Sequence, residues 1–183
     1  MKDFKIFFVI CVSIMLLGCA SSAKIEGMAY ENEYGLKFLF DKRLHENVVV
    51  NDVSGGQITN PLWTSEISNE EFKLALKLSL KTQHLYSASG RYRLDAQLLE
   101  VKQPVFGLSF TVITKVKYTI LDNRNGKVVL DKVVVADYTA TMGDSFWGIK
   151  RLRLANEGSA KNNIEKLIRS LSIKQVEAGK LSL

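Results

Sequence analysis

Cysteine is scarce in this chain and confined to its first 19 residues, where it occurs at Cys11 and Cys19. From residue 20 onward the sequence offers no thiol for a disulfide, a nucleophile or a zinc site. A domain formed by this part of the chain must therefore be stabilised by its hydrophobic core alone, even in an oxidising compartment.

Histidine is equally scarce, and the familiar catalytic motifs are missing. His45 and His84 lie far apart in the sequence without metal-ligand spacing, and a His-x4-Asp acyltransferase pattern is contradicted because Val50 and Ser89 occupy the required position. There is no Gly-x-Ser-x-Gly motif, no phosphate-binding glycine loop and no evident pair of carboxylates for glycoside chemistry. The sequence therefore predicts a non-catalytic protein with no metal and no other cofactor.

The N-terminal segment has the three-part layout of a secretory signal. A basic start at residues 1–5 precedes an apolar run from Ile6 to Leu17, and small residues follow. Leu16-Leu17-Gly18-Cys19 resembles the lipobox of bacterial lipoproteins, in which the cysteine is diacylated and becomes the first residue of the mature protein. The resemblance implies that fatty acyl chains such as palmitate on Cys19 attach the protein to a membrane.

Ala20 at the second mature position resembles lipoproteins that are sorted to the outer membrane, so we expect an outer-membrane anchor that faces the periplasm. Two alternatives stay open: a cleaved signal with an incidental cysteine, and a membrane-spanning helix. The second is disfavoured because Ile6–Ala20 is 15 residues long, whereas a spanning helix needs about 20.

The charge of the chain is modest. The formal net charge is +6, and removal of Lys2, Asp3 and Lys5 with the signal leaves +5. A surplus of this size favours solubility or contact with acidic lipid head groups. A nucleic-acid partner is not expected for an exported, tethered protein.

We predict four segments: a signal peptide at 1–18, a polar tether at 19–34, one α+β domain at 35–173 and a tail at 174–183. Within the domain, alternation of apolar and polar residues is clearest over Arg91–Val101. The predicted strands cover Leu36–Phe40, Asn47–Asp52, Arg91–Val101, Thr111–Asp122 and Lys127–Ala140. Asn123–Gly126 is the expected turn between the last two strands.

Two helices are predicted from apolar residues at a 3.6-residue period. The first follows a capping box at Ser68–Glu71 and extends to Gln83, with a wide apolar face that includes Leu74 and Leu78. The second covers Leu152–Leu171. The order strand, helix, three antiparallel strands, helix predicts an α+β two-layer sandwich, with an antiparallel sheet covered by two helices.

This order resembles that of small outer-membrane lipoproteins, including the lipopolysaccharide-assembly lipoprotein. The chain is more similar to uncharacterised periplasmic lipoproteins with a Phe-x-Gly, Arg-Leu-Arg, Ala-x-Glu-Gly, Asn-Ile pattern before the last helix. That pattern reads here Phe146-Trp147-Gly148, Arg151-Leu152-Arg153, Ala155-Asn156-Glu157-Gly158 and Asn163-Ile164. The resemblance brings no catalytic residue, and the topological likeness transfers function poorly.

Two apolar loops are predicted to lie at the same end of the sheet and form a contact surface. Its candidate residues combine aromatic side chains with cations, a mixture that suits protein interfaces and membrane surfaces. They are Phe106, Phe146, Trp147, Lys150 and Arg151. The alternative is that the aromatic residues close the end of the core and that Arg151 flanks the final helix.

The expected function is that of a lipid-anchored binding or adaptor module in envelope assembly or maintenance. Its partner would be an envelope protein, lipopolysaccharide or peptidoglycan, in addition to the membrane itself. A carrier or sensor of a small apolar ligand is the alternative, and a hydrolase or transferase without a recognisable motif is the third possibility.

Overall fold

The computed structural model describes residues 20–32, 35, 38–60 and 64–175, with the side chains of 173–175 excepted. The helices are α1 (Ile25–Met28), α2 (Asn69–Thr82) and α3 (Gly148–Leu171), with a 3-10 turn at Lys42–Leu44. The strands are β1 (Phe38–Phe40), β2 (Val48–Ser54), β3 (Tyr92–Lys102), β4 (Phe110–Asp122), β5 (Val128–Ala140) and β6 (Ser172–Gln175). The signal segment and residues 176–183 lie outside the described residues.

A four-stranded sheet in the order β2-β3-β4-β5 forms one layer of the fold. Strands β3, β4 and β5 form the predicted antiparallel meander, with Leu94 opposite Ile120 and Val116 opposite Val134. Strand β2 pairs with β3 in parallel, because α2 carries the chain back across the sheet before β3 begins. The α+β two-layer class is therefore confirmed, and the sheet is mixed rather than wholly antiparallel.

The core lies between this sheet and the two long helices. Alternate residues of the strands point into it, as the period-two patterns predict, and the stripe of α3 packs onto the same face. The buried set includes Leu94, Ala96, Leu98, Val116, Tyr118, Ile120, Ala160, Ile164, Leu167, Ile168 and Leu171. Helix α3 packs mainly on β5 and β4, and α2 packs on β2.

A polar cluster fixes how α3 sits on the sheet. Asn163 donates to the Thr114 carbonyl at 3.1 Å and accepts from the Tyr118 hydroxyl at 2.9 Å. The Thr114 and Ser159 hydroxyls lie 3.0 Å apart, and all four residues are buried. Because buried polar groups are costly unless they are paired, this cluster favours one register of helix on sheet.

Helix α2 begins with half of the predicted capping box. The Ser68 hydroxyl accepts from the Glu71 amide at 3.2 Å, but the Glu71 carboxylate accepts from the Ser22 hydroxyl at 2.9 Å. The predicted inner face of α2 is buried at Phe72, Ala75, Leu76, Ser79 and Leu80. The prediction of a wider apolar face is wrong at Leu74, because this side chain is 42% exposed.

The largest difference from the sequence prediction is in the segment predicted as a tether, residues 19–34. Among its described residues, Ala23, Met28, Ala29 and Tyr30 are at most 3% exposed, and α1 packs against α3 and α2. The small and polar composition suggested a linker, but small residues also allow close packing on a helix. The folded body therefore begins within a few residues of Cys19.

The end of the domain also differs from the prediction. Strand β6 continues directly from α3 and pairs antiparallel with β1, with Phe38 opposite Gln175. The first residues of the segment predicted as a tail thus belong to a small two-stranded sheet. Leu36 and Lys37, the predicted start of β1, lie outside the described residues.

Strand β5 differs from the prediction in detail. Valine clusters on either side of Asp131 and Lys132 predict either contacts on both faces of the strand or a bulge near these two residues. The irregularity lies instead at Val129, since Leu130 pairs with Ile120 and Val128 with Leu121. The valines of β5 do not contact both faces, because Val133 and Val135 are about half exposed on the outer face. Within the described ranges, no helix combines the length and apolar character needed to cross a membrane.

Candidate functional site

The two predicted contact loops meet at one end of the sheet. Residues 103–109 join the end of β3 to the start of β4, and residues 141–147 join the end of β5 to the start of α3. In an antiparallel meander the end of β3, the start of β4 and the end of β5 share one edge. Both loops therefore project from the same end of the molecule, as predicted.

Arg151 holds the two loops together. It lies in the first turn of α3 and is 5% exposed. Its guanidinium donates to the carbonyls of Ser145 and Phe146, each at 2.9 Å, and to the carbonyl of Gly107 at 3.3 Å. It also lies 5.0 Å from the ring centre of Phe110. A planar, five-donor side chain suits this role because it bonds several acceptors at once.

The side chains at the tips of both loops face solvent. Val105 is 93% exposed, Phe106 88% and Leu108 73% in the first loop, and Phe146 is 75% and Trp147 69% exposed in the second. We call these five residues the end patch. Phe146 and Trp147 meet edge to face, with ring centres 6.3 Å apart. The alternative in which the aromatic residues close the core is wrong for this end, because their exposure is too high.

The charge beside the end patch is mainly positive. Lys102 and Lys150 are exposed, and the first turn of α3 contains no acidic residue and no side-chain cap. The free amides of a helix N-terminus add a partial positive charge there. Asp144 is turned back into its loop, where hydrogen bonds from the Thr141 amide and hydroxyl lower the pKa of its carboxyl.

The N-terminal segment is fixed at this same end. The Arg153 guanidinium donates to the Ser21 hydroxyl at 2.7 Å, and the Ser65 hydroxyl donates to the Ser21 carbonyl at 2.7 Å. Gln103, the first residue after β3, donates to the Ser65 carbonyl at 2.9 Å and to the Asn156 side chain at 3.1 Å. Ser21 therefore lies close to the base of both loops.

Glu157 makes a second contact with this segment. Its carboxylate accepts from the Lys24 amide at 2.8 Å and lies 3.3 Å from the Arg153 Nε. Burial raises the pKa of Glu157, against the opposing effects of the Lys24 amide and Arg153. A cleft of about 420 Å³ runs beside it, but this carboxylate is already engaged in holding the chain.

The Arg-Leu-Arg and Ala-x-Glu-Gly pattern at residues 151–158 of α3 thus has a structural explanation. The sequence alone does not predict it. Arg151 ties the loops, Arg153 and Glu157 bind the N-terminal segment, and Asn156 donates to the Ser65 carbonyl at 2.7 Å. Gly158 leaves room for the Tyr138 ring, since a Cβ on it would lie 2.3 Å from the Tyr138 Cγ. The sequence does contain one indication of these contacts, because polar residues on the inner face of a predicted helix need hydrogen-bond partners in the core.

The two histidines, distant in sequence, come together beside the C-terminal end of α2. The rings of His45 and His84 stack with centres 6.2 Å apart, beside an open groove that Phe38 and Phe40 help to line. In the described part of the chain, no group of three or more His, Cys, Asp or Glu side chains is arranged to hold a metal. Sequence spacing missed this pair because the fold closes a long loop.

No known family model matches the sequence, and no curated protein matches it either. The fold is similar to that of a Xanthomonas campestris protein of the DUF330 family, with a TM-score of 0.53, 8% identity, and coverage of 73% of this chain and 89% of that chain. A candidate lipoprotein from Caulobacter crescentus gives a TM-score of 0.49 at 18% identity, with 70% and 89% of the two chains covered. A minor lipoprotein from Acinetobacter baumannii gives a TM-score of 0.44 at 10% identity, with 69% of this chain and 90% of that chain covered.

Two of these three solved structures are thus bacterial lipoproteins, one of them a candidate lipoprotein. At 8% identity, the likeness to the Xanthomonas protein shows a shared fold and nothing finer. The chain therefore has an α+β fold that is also found in a solved bacterial protein of the DUF330 family.

Proposed function

We propose that this protein is a lipid-anchored envelope lipoprotein, attached through acylated Cys19, which acts as a non-catalytic binding or adaptor module. The observation that carries the proposal is the rigid presentation of the end patch. Exposed aromatic side chains on loops tied by a buried arginine form a pre-organised contact surface, and pre-organisation lowers the entropic cost of binding. The proposed location is the periplasmic side of the outer membrane.

Charge supports an acidic or zwitterionic counterpart for this surface. The cations beside the end patch suit phosphate groups of lipids or of lipopolysaccharide, and the aromatic side chains suit an apolar neighbour. A small-ligand carrier is less well supported, because the core between sheet and helices is filled with side chains. An enzyme is less well supported, because the buried carboxylate beside the cleft is engaged in structural bonds.

The proposal is tested by cross-linking and mass spectrometry of the native lipoprotein in its own membrane, with Cys19→Ala as the control. We expect one dominant envelope component to be cross-linked to the native protein and to be lost in the control. The Cys19→Ala form should also remain an uncleaved precursor without lipid. An unchanged mature, membrane-bound Cys19→Ala protein would contradict the anchor.

Trp147→Ala distinguishes a role of this side chain in partner binding from a role in the stability of the fold. Since Trp147 is 69% exposed, its removal should weaken recovery of the cross-linked component while changing the free energy of unfolding by less than about 1 kcal/mol. Leu39→Ala, at a residue that is 54% exposed and lies on β1 beyond the opposite end of α3, should change neither. A large loss of stability in Trp147→Ala would show that this side chain supports the core.

A further inference from the structure

We infer that the end patch rests in the lipid bilayer itself, so that the protein is held by its acyl chains and by a second, side-chain contact at the same end. This inference rests on the proposed function, since it requires acylated Cys19. It identifies the partner of the end patch as the membrane interface. The envelope component whose recovery Trp147→Ala weakens is then a lipid or lipopolysaccharide of that membrane, and any protein partner engages another surface of the domain.

The free chain between the acylated cysteine and the folded domain is very short. Ser21 is fixed to Arg153 and Ser65 by hydrogen bonds of 2.7 Å each. Only two residue steps separate Cys19 from Ser21, and two residues span at most about 7 Å. The end of the domain that carries Ser21 must therefore stay close to the surface into which the acyl chains insert.

The end patch lies at the same end of the domain as Ser21. Arg153 binds Ser21, while Arg151, two residues earlier on α3, binds the carbonyls of Phe146 and Gly107. Gln103 joins the opposite side of the same region, because it contacts Ser65 and leads directly into the loop that bears Phe106. The anchored chain and both loops therefore surround the start of α3.

The space between this end of the domain and the membrane surface is too narrow for a folded protein. A folded partner domain is about 30 Å across, and even a single helix is about 10–12 Å thick. Both exceed the roughly 7 Å of free chain between Cys19 and Ser21, so a folded soluble protein does not fit between this end of the domain and the bilayer. The bilayer fills that space without any such constraint.

The chemistry of the end patch suits this occupant. Tryptophan and phenylalanine favour the boundary between head groups and acyl chains, and lysines beside them meet lipid phosphates. Val105, Phe106 and Leu108 protrude from one loop, and Phe146 and Trp147 from the other. Lys102 and Lys150 lie at the base of these loops, where head groups would meet them. The buried Arg151 keeps its charge away from the lipid by bonding the loop carbonyls.

The test uses single cysteines in the acylated, full-length protein. Acylation occupies Cys19 and processing removes Cys11, so a new cysteine is the only free thiol. Phe106→Cys and Phe146→Cys report on the two loops, and Arg124→Cys is the matched exposed control. Arg124 lies in the turn at the far end of β4, about 40 Å away for a strand of this length.

Each variant is spin-labelled and reconstituted in vesicles of phosphatidylethanolamine and phosphatidylglycerol at three to one. Intact mass first verifies the acyl chains. Collision rates with oxygen, which concentrates in the bilayer, and with a water-soluble nickel chelate are then compared. We expect the oxygen-to-nickel ratio to be several-fold higher at positions 106 and 146 than at 124.

Three results would overturn the inference in different ways. Acylated protein with loop labels as accessible to nickel as position 124 would leave the anchor intact and refute bilayer contact by the end patch. Labels shielded from both reagents would show that protein, such as a second copy of this chain, covers the end patch. Protein without acyl chains would refute the proposed function, and the inference would fail with it.

Discussion

Single residues on α3 determine how the rest of the chain is arranged around it. Arg151 is the clearest case, because its guanidinium serves three backbone carbonyls from two loops while remaining buried. Composition alone assigned it to a cationic contact surface. The structure shows instead a residue that orders that surface from within.

Arg151→Ala should therefore destabilise the protein. Its removal leaves the buried Ser145 carbonyl without this donor, frees the two loops from each other and opens space beside Phe110, so we expect a loss of about 2–4 kcal/mol in urea unfolding. Amide hydrogen exchange in residues 103–109 should become faster at the same time. Lys150→Ala, at the exposed neighbouring position, should cost no more than about 0.5 kcal/mol. Equal effects of the two variants would contradict the account of Arg151.

Gly158→Ala gives a prediction in which two effects have opposite signs. Helix propensity alone favours alanine by about 1 kcal/mol. The new Cβ would lie 2.3 Å from the Tyr138 ring, and such overpacking costs about 1–3 kcal/mol or more. We therefore expect net destabilisation by thermal unfolding.

The sign should reverse once the ring is removed. In a Tyr138→Ala background, Gly158→Ala should stabilise the protein, because only the helix propensity remains. Gly143→Ala is the control for alanine in a loop, since its nearest heavy atom is Thr141 Oγ1 at 3.4 Å. Stabilisation by Gly158→Ala in the native background would show that the Tyr138 ring gives way to the new methyl group at no cost, and would contradict the close contact.

The ion pair at the far end of the sheet predicts a pH dependence. A hydrogen bond from Arg91 lowers the pKa of Asp122 to about 2, below the value of about 3.9 in an unfolded chain. A depressed folded pKa adds stability that is fully present above about pH 4 and is lost as the pH falls toward about 2. The difference in unfolding free energy between the native protein and Asp122→Asn should therefore shrink from pH 4 to pH 2. A difference that stays constant over this range would contradict the pairing.

At the scale of elements, the N-terminal segment is the part that composition described wrongly. Its serines, glycine and charges resemble a linker, yet each of several polar groups has a specific partner on α2 or α3. Ser22 reaches Glu71, and the Lys24 amide reaches Glu157. Such long-range partners have no period along the chain, so sequence patterning cannot reveal them.

Met28→Ala tests whether this segment belongs to the fold. Met28 is fully buried in the core cluster, so its truncation should cost about 2–5 kcal/mol in chemical unfolding. Ile58→Ala, at a residue 91% exposed, should cost no more than about 0.5 kcal/mol. An effect of Met28→Ala as small as that of Ile58→Ala would restore the tether interpretation.

Helix α3 also protects the exposed edge of the sheet. Strand β5 is an edge strand, and unpaired edges invite association with other strands. Lys166 donates to the Val135 carbonyl at 2.9 Å, and Asn162 donates to the Asp137 carbonyl at 2.7 Å. These side chains cover part of an edge whose valines alone would suggest aggregation.

At the scale of the whole molecule, the elements that follow from periodicity were predictable. The strands at β3, β4 and β5 and the inner faces of α2 and α3 match their patterns, because burial on one side imposes a period on the sequence. The parallel pairing of β2, the β1–β6 sheet and the meeting of His45 with His84 were not predictable, because they depend on long-range chain closure.

Part of the candidate site could be predicted from the sequence. Its two loops and their aromatic residues follow from meander geometry and composition. Val105 and Leu108, which were not among the predicted site residues, are as exposed as these aromatic side chains. The position of the N-terminal segment beside them was hidden, although this position relates the end patch to the anchor. The end patch and the N-terminal segment lie at one end of the sheet, and the Asn123–Gly126 turn lies at the other, so the proposed anchor at Cys19 would orient the molecule on the membrane.

The intact mass of the mature protein, purified from its own membrane, is a direct test of the proposed lipid anchor. We expect a chain that begins at Cys19 and carries the added mass of its acyl chains. A mature chain that begins at another residue, or an unmodified Cys19, would contradict the lipid anchor on which the account rests.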